Sequence, residues 1–253
     1  MSEQAFFNGL IIGWFLVAAV VFSVLLFMAA PYGRYFKGGW GPALSNKAGW
    51  VIMEAAAPLV FALFFFLGSN PNTATTLVFL ALWEVHYLHR AFIYPFGLRN
   101  RDSGMPLIIV GLGFLFSTVN GYLNSRYLFT FAAGYGNEWL SDPRFIVGVA
   151  LFIAGFIINR QADWILRNLR RGGESGYKIP HGGLYRWISC PNYLGEIVIW
   201  VGWAVATWSL PGLAFAFWTA ANLVPRARSH HAWYRQRFPD YPPQRRALLP
   251  GIW

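Results

Sequence analysis

The sequence predicts an all-α polytopic membrane protein of seven transmembrane helices, with the N-terminus outside and the C-terminus in the cytosol. Three observations carry this. Of 253 residues, 56% are hydrophobic and 12% charged, with a mean hydropathy of +0.41; ordinary soluble domains carry about 25% charged residues. The apolar residues gather in charge-poor stretches near the roughly 20 residues that a helix needs to cross a hydrocarbon layer about 30 Å thick. The basic residues fall almost entirely in alternate connections between those stretches.

Taken in order, the first stretch, about 6–30, carries no charge, and the segment before it holds Glu3 but no Lys or Arg. It is too long, and its flank too acidic, for a cleaved signal sequence, so it reads as a retained span. Further spans are expected at about 50–67, 74–97, 106–123, 145–158, 195–209 and 212–224. Only Leu210-Pro211 separates the last two, which predicts a tight helical hairpin. With seven spans, 18 of the 20 basic residues lie on the C-terminal side, and only Arg126 and Arg144 on the other. The positive-inside rule then makes that side cytosolic. Residues 1–253 read as a single membrane domain without repeat or linker.

Composition excludes a disordered chain, because the apolar content is too high to stay solvated. It also excludes a disulfide scaffold, since Cys190 is the single cysteine. The net charge of +10 admits nucleic acid, lipid headgroups or a phosphorylated ligand as partner.

Two polar groups stand where lipid disfavours them. Glu54 lies between Val51-Ile52-Met53 and Ala55-Ala56-Ala57, and the third span carries Trp83-Glu84-Val85-His86-Tyr87-Leu88-His89-Arg90. On a helix Tyr87, Arg90 and Tyr94 share one face. Ionisable groups inside a bilayer point to function; the plainer reading is an interfacial cluster in which Glu54 and an arginine neutralise each other.

The cytosolic half holds more. Asn159, Asp163, Arg167 and Arg170 or Arg171 recur at spacings of three and four, on one helix face. A basic loop, Tyr177-Lys178-Ile179-Pro180-His181-Gly182-Gly183-Leu184-Tyr185, turns at its glycine pair. Cys190-Pro191-Asn192-Tyr193-Leu194-Gly195-Glu196 sets Asn192 and Glu196 one helical turn apart at the mouth of the sixth span. Arg226, His230 and Tyr234 sit at i, i+4 and i+8. Guanidinium groups suit phosphates better than ammonium groups, and Arg outnumbers Lys by 17 to 3. Amides, carboxylates and tyrosines suit ribose, carboxamide or base. Arginines that merely hold topology and anionic lipid are the alternative, but topology alone does not ask for Asn, Asp, Glu and Tyr interleaved at helical spacing.

No Gly-x-Gly-x-x-Gly follows a strand and no Walker A sequence occurs, so any dinucleotide site is not of the Rossmann type. No metal is expected: His86 with His89, and His230 with His231, lack a carboxylate at ligand spacing. Cys190 lacks a base beside it in sequence.

The run Tyr-Lys-Ile-Pro-His-Gly-Gly-Leu-Tyr, then Pro-Asn-Tyr-Leu-Gly-Glu, then Arg226 to Tyr234 and the closing Asp-Tyr-Pro…Arg-Arg-Ala-Leu-Leu-Pro resemble the steroid 5α-reductase family. Glu54 and His86-Tyr87-Leu88-His89-Arg90 match its N-terminal half, so the similarity spans about 54–253. The C-terminal portion alone is also similar to acyl-CoA enoyl reductases, membrane sterol reductases and isoprenylcysteine methyltransferases.

The resemblance implies a seven-helix enzyme that takes NADPH from the cytosol and reduces the Δ4 double bond of a 3-oxo steroid. The part at about 6–97 would grip substrate, and that at about 98–253 the cofactor. Glu54 and Tyr87 match the pair that grips the 3-keto oxygen, while Asn192 and Glu196 match residues around the nicotinamide. Arg90, Tyr94, Arg101, Asn159, Asp163, Arg167, Arg170, Tyr177, Arg226, His230 and Tyr234 match positions lining the cofactor. Met53 is a departure, since the human-type enzymes usually carry Gln before the catalytic Glu. The implied partners are an apolar steroid-like substrate entering from lipid, NADPH and membrane lipid, with no nucleic acid, around a monomer. The membrane would be a bacterial inner membrane or the endoplasmic reticulum, according to source; a bacterial-type member is expected.

Physical chemistry agrees with that reading. Hydride addition to the β-carbon of an enone builds negative charge on the carbonyl oxygen, which aimed donors stabilise. Tyr87 can donate, and so can Glu54 if burial keeps it protonated. A trans-2-enoyl-CoA reductase and an S-adenosylmethionine-dependent membrane methyltransferase are the alternative enzymes, and a non-catalytic lipid-binding or transport protein is the alternative class. Glu54 with Tyr87 favours the reductases, because methyl transfer does not call for carbonyl-polarising donors.

Overall fold

In the computed structural model, the described residues are 2–29, 35, 39–97, 104–169 and 176–253. They are mostly helical, and each expected span overlaps helix. The α-helices among the described residues are α1 (Glu3–Phe27), α2 (Asn46–Phe66), α3 (Ala74–Leu88), α4 (Tyr94–Gly97), α5 (Leu107–Arg126), α6 (Pro143–Asn168), α7 (Pro191–Thr207) and α8 (Leu210–Arg237). The span expected at 74–97 is divided between α3, a π turn and α4. Two short strands, β1 (Ala43–Ser45) and β2 (Gly104–Pro106), pair antiparallel. Among the described residues, four helical stretches are long and apolar enough to cross a membrane: Glu3–Phe27, Asn46–Phe66, Leu107–Phe131 and Pro143–Asn168. Among the rest, α3 and α7 are shorter, at 15 and 17 residues, and the second half of α8 is rich in arginine.

The helix starts follow from local chemistry. Thr73 and Thr76 form a reciprocal capping box at α3, the Thr76 amide donating to Thr73 Oγ1 (3.2 Å) and the Thr73 amide to Thr76 Oγ1 (2.8 Å). Asp142 Oδ1 accepts from the Arg144 amide at 2.8 Å and so caps α6, whose first residue is Pro143. The Arg144 guanidinium beside Asp142 holds its carboxyl down at about 2.

The chain forms two compact units. The first comprises Met1–Ile11 and Ala30–Ile146. Its β1–β2 pairing joins the starts of α2 and α5, which lie side by side. Phe61 stacks on Trp83 at 4.4 Å, and the Trp83 indole N–H donates to the Ala57 carbonyl of α2 at 3.2 Å. Pro58 lies inside α2 and cannot donate to the Glu54 carbonyl one turn back. Below α3 the helix widens into a π turn at His89–Ile93, and α5 ends likewise at Tyr127–Phe131. Asn70 Nδ2 holds the latter by donating to the Leu128 and Ala132 carbonyls, each at 3.2 Å. Glu3 and Arg126 form a two-pronged ion pair at 2.7 Å.

The second unit comprises Ile12–Ala29 and Val147–Trp253. Here α6 and α7 cross at backbone contact along four glycines. A Cβ on Gly148 would lie 2.2 Å from Ala206 N, on Gly155 2.6 Å from Ile199 N, on Gly195 2.6 Å from Asn159 N, and on Gly202 2.5 Å from Phe152 N. Small residues at seven-residue spacing bring two membrane helices together in this way. The hairpin expected at Leu210-Pro211 is present: α7 stops at Thr207, Trp208 takes a left-handed conformation (φ 45°), and Ser209 Oγ accepts from the Gly212 amide at 3.1 Å. After α8 the tail returns to 187–189, with Arg246 N donating to Trp187 O (2.9 Å) and Ser189 N to Arg246 O (2.8 Å).

Candidate functional site

Each unit gathers one polar cluster. In the first, Glu54 of α2 faces Arg90 of the π turn, with Arg90 Nε 3.8 Å from Glu54 Oε1. The guanidinium lies over two rings, Trp50 at 4.8 Å and Tyr94 at 4.7 Å, which themselves meet edge to face. Such rings contribute about 0.5–2 kcal/mol each to holding a cation in place. Tyr87 is 3% exposed and closes the column Phe61–Trp83–Tyr87, its ring 4.9 Å from that of Trp83. Arg90 and Tyr94, expected as cofactor residues, thus sit in the unit that carries Glu54 and Tyr87.

In the second unit the helical spacing read from sequence becomes contact. Asn159 Nδ2 donates to the Asn192 carbonyl at 2.8 Å and to Glu196 Oε2 at 3.0 Å. Trp200 Nε1 donates to the other carboxylate oxygen at 3.1 Å. Asn192 Nδ2 reaches Asp163 Oδ1 at 3.5 Å. Arg160, absent from the sequence expectations, donates to Asn159 Oδ1 and pairs with Asp163 Oδ2 at 3.6 Å. The glycine crossing sets these α6 and α7 side chains face to face.

Across α7 from α8, Tyr193 Oη and His230 Nε2 are 3.0 Å apart and Arg226 lies 5.5 Å over the Tyr193 ring. Tyr234 is buried and stacked on Tyr241 at 5.3 Å. Tyr177 meets Trp233 edge to face at 5.0 Å. Arg167 is exposed in the last turn of α6. Arg101 and Arg170 lie outside the described residues.

Three further features were missed in sequence. Tyr185, on the short turn after the glycine pair, is 1% exposed, and its hydroxyl has no hydrogen-bond partner among the described residues. Burial pushes its phenol well above the usual range, and Asp163, Cys190, Tyr234 and Tyr193 push it further. Arg245 is 3% exposed, over the Tyr241 ring at 5.2 Å, with only His181 Nδ1 near, 3.4 Å from Nη2. Its Nε and Nη1 find no acceptor among the described residues. The third is a knot at Ser189, whose Oγ lies 2.7 Å from His231 Nδ1 and 2.6 Å from Tyr241 Oη. Burial, then Arg235 and Arg246, hold the His231 imidazole below its usual range. Paired arginines near the C-terminus were the available signal for Arg245; the others come from tertiary packing.

The second cluster offers cations, amides, a carboxylate pair, aromatic faces and orphaned buried donors, the donor set that a nucleotide needs. Among the described residues no three His, Cys, Asp or Glu side chains converge to hold a metal ion. Residues 103–253 match the family model described as 3-oxo-5-alpha-steroid 4-dehydrogenase. The chain is 43% identical over 241 residues to 3-oxo-5-alpha-steroid 4-dehydrogenase 1 of Bos taurus, covering 93% of each chain. It is 41% identical over 224 residues to the protein of the same name from Homo sapiens, covering 87% and 85%. It is 38% identical over 258 aligned positions to steroid 5-alpha-reductase DET2 of Gossypium hirsutum, covering 100% and 99%.

Proposed function

The chain belongs to the 3-oxo-5-alpha-steroid 4-dehydrogenase family of oxidoreductases, and from that premise we propose that it reduces the Δ4 double bond of a 3-oxo steroid with NADPH. The observation that carries the reading is the Glu54–Arg90 pair in the unit that also buries Tyr87. Glu54 and Arg90 pair as the plainer reading expects, but a charged pair in so apolar a unit costs more than apolar residues of the same size would, and that cost favours a role towards a polar group of the ligand.

NADPH supplies the hydride when bound. The protein's part is to hold both reactants and to stabilise charge. As the β-carbon of the enone gains hydride, negative charge grows on the 3-keto oxygen. Tyr87 Oη donates a hydrogen bond to that oxygen, Glu54 in its protonated form donates a second, and the Arg90 charge favours the developing anion. A proton taken from solvent water joins the α-carbon and completes the reduction. The residues that would hold NADPH are Asn159, Asp163, Arg167, Arg170, Tyr177, Asn192, Glu196, Arg226, His230 and Tyr234, with Arg90, Tyr94 and Arg101; Arg245 is added because its buried Nε and Nη1 meet no acceptor among the described residues. NADPH is preferred over NADH because arginine surplus suits the extra phosphate. The membrane topology is seven spans with the C-terminus cytosolic, as the placement of Arg and Lys requires, and the steroid enters from lipid.

The test is to give the purified protein NADPH with a panel of steroid enones and enoyl thioesters, following loss of nicotinamide absorbance. Turnover of a 3-oxo-Δ4 steroid is expected, and Glu54→Gln should lower kcat by about 100-fold or more while NADPH still binds. Turnover of thioesters alone would make the protein an enoyl reductase; near-normal rates in Glu54→Gln would remove its role.

A further inference from the structure

Tyr185 stands out among groups that the proposed mechanism does not use. Its turn is carried to α6 by Gly182 and Gly183, both at positive φ (91° and 48°), and a Cβ on Gly183 would come within 2.9 Å of Gln161 Oε1. This close approach seats the Tyr185 side chain within electrostatic reach of Asp163, Tyr193 and Tyr234, from three different helices of the candidate cofactor cluster. Phenylalanine would fill the same volume without burying a hydroxyl. A buried hydroxyl left without a partner is costly, so the group is expected to meet its partner when a ligand arrives.

We infer that Tyr185 is a further contact for the bound dinucleotide, its phenol donating a hydrogen bond to a hydroxyl of the nicotinamide ribose. The chemistry of the neighbours selects that part of the ligand. Asp163 repels phosphate, whereas a vicinal diol can donate to a carboxylate and accept from a phenol at once. In NADPH the adenosine ribose carries its third phosphate on one of those hydroxyls, so the intact diol belongs to the nicotinamide ribose. The inference rests on the proposed use of NADPH.

The experiment measures binding of NADPH, and of NADPH lacking one hydroxyl of the nicotinamide ribose, to the full-length wild type and to Tyr185→Phe. Tyr185→Phe should bind NADPH about tenfold more weakly, one hydrogen bond's worth. It should also respond less than the wild type to loss of the critical ribose hydroxyl, while melting no lower without ligand. Wild-type affinity in Tyr185→Phe overturns the inference. Should that variant melt early, the wild type decides: a loss of about tenfold on removing either hydroxyl supports the contact, and indifference to both removals overturns it. Wild type that binds no dinucleotide removes the proposed function as well, which separates the two failures.

Discussion

Replacing Gly195 by alanine tests the crossing that assembles the second cluster. The new Cβ would lie 2.6 Å from Asn159 N and 2.8 Å from Gly155 O, where ordinary contact begins at 3.4 Å. The helices must therefore part by about 0.8 Å, the difference between 3.4 and 2.6 Å, because both obstacles are backbone and cannot swing aside. Overpacking of this kind costs about 1–3 kcal/mol, against up to about 1 kcal/mol gained from the better helix propensity of alanine. The same displacement would stretch the 3.0 Å bond from Asn159 Nδ2 to Glu196 Oε2 towards about 3.8 Å, beyond hydrogen-bond range, losing about 1 kcal/mol more. Gly195→Ala should melt several degrees lower in detergent and bind NADPH more weakly. Gly13→Ala is the control, since a Cβ there meets nothing within 4 Å, and its Tm should hold or rise. If Gly195→Ala melts with the wild type and binds NADPH normally, the helices do not cross at backbone contact.

Ser189→Ala strips His231 Nδ1 and Tyr241 Oη of a shared partner and should cost about 1–3 kcal/mol, read as a lower Tm. His231 has a folded pKa below its usual value, so its neutral form stabilises the fold above the unfolded value of about 6.5, and that stability is lost as pH falls through the folded value. Tm of the wild type should fall below about pH 6.5 more steeply than that of His231→Asn; parallel curves would contradict the assignment. Asp142, at about 2, stays ionised over the working range, so Asp142→Ala should lower Tm by the same amount at pH 5 and pH 8.

Much of this was legible in sequence, for identifiable reasons. Apolar run length located every long helix, and Leu210-Pro211 marked the hairpin because proline is favoured in the first turn of a helix. Helical spacing put Asn192 and Glu196 on one face, and their side chains meet Asp163 and Asn159 of α6. Periodicity describes one helix at a time, however, and does not reveal what another brings to it. Arg160 looked like a topology charge until α7 gave Asn159 and Asp163 their orientation. Tyr185 and Arg245 read as loop and tail residues, yet both are buried, because the tail strand at Arg246 closes over 187–189. Their burial is a property of that return path.

The π turn at His89–Ile93 makes chain length a determinant of the proposed substrate site. Tyr94 N reaches back five residues to His89 O, so the turn houses one residue more than an α-helix would. Deleting a single residue between Arg90 and Tyr94 would let the helix close to regular pitch with its flanks left in place, because the turn already absorbs the extra residue, and would set Tyr94 three residues from Arg90 instead of four. The ring that now lies 4.7 Å from the guanidinium would meet it differently, though no side chain near Glu54 had been altered. Relatives that differ here by one residue in length should therefore hold this arginine differently, even where Glu, Tyr and Arg are all retained.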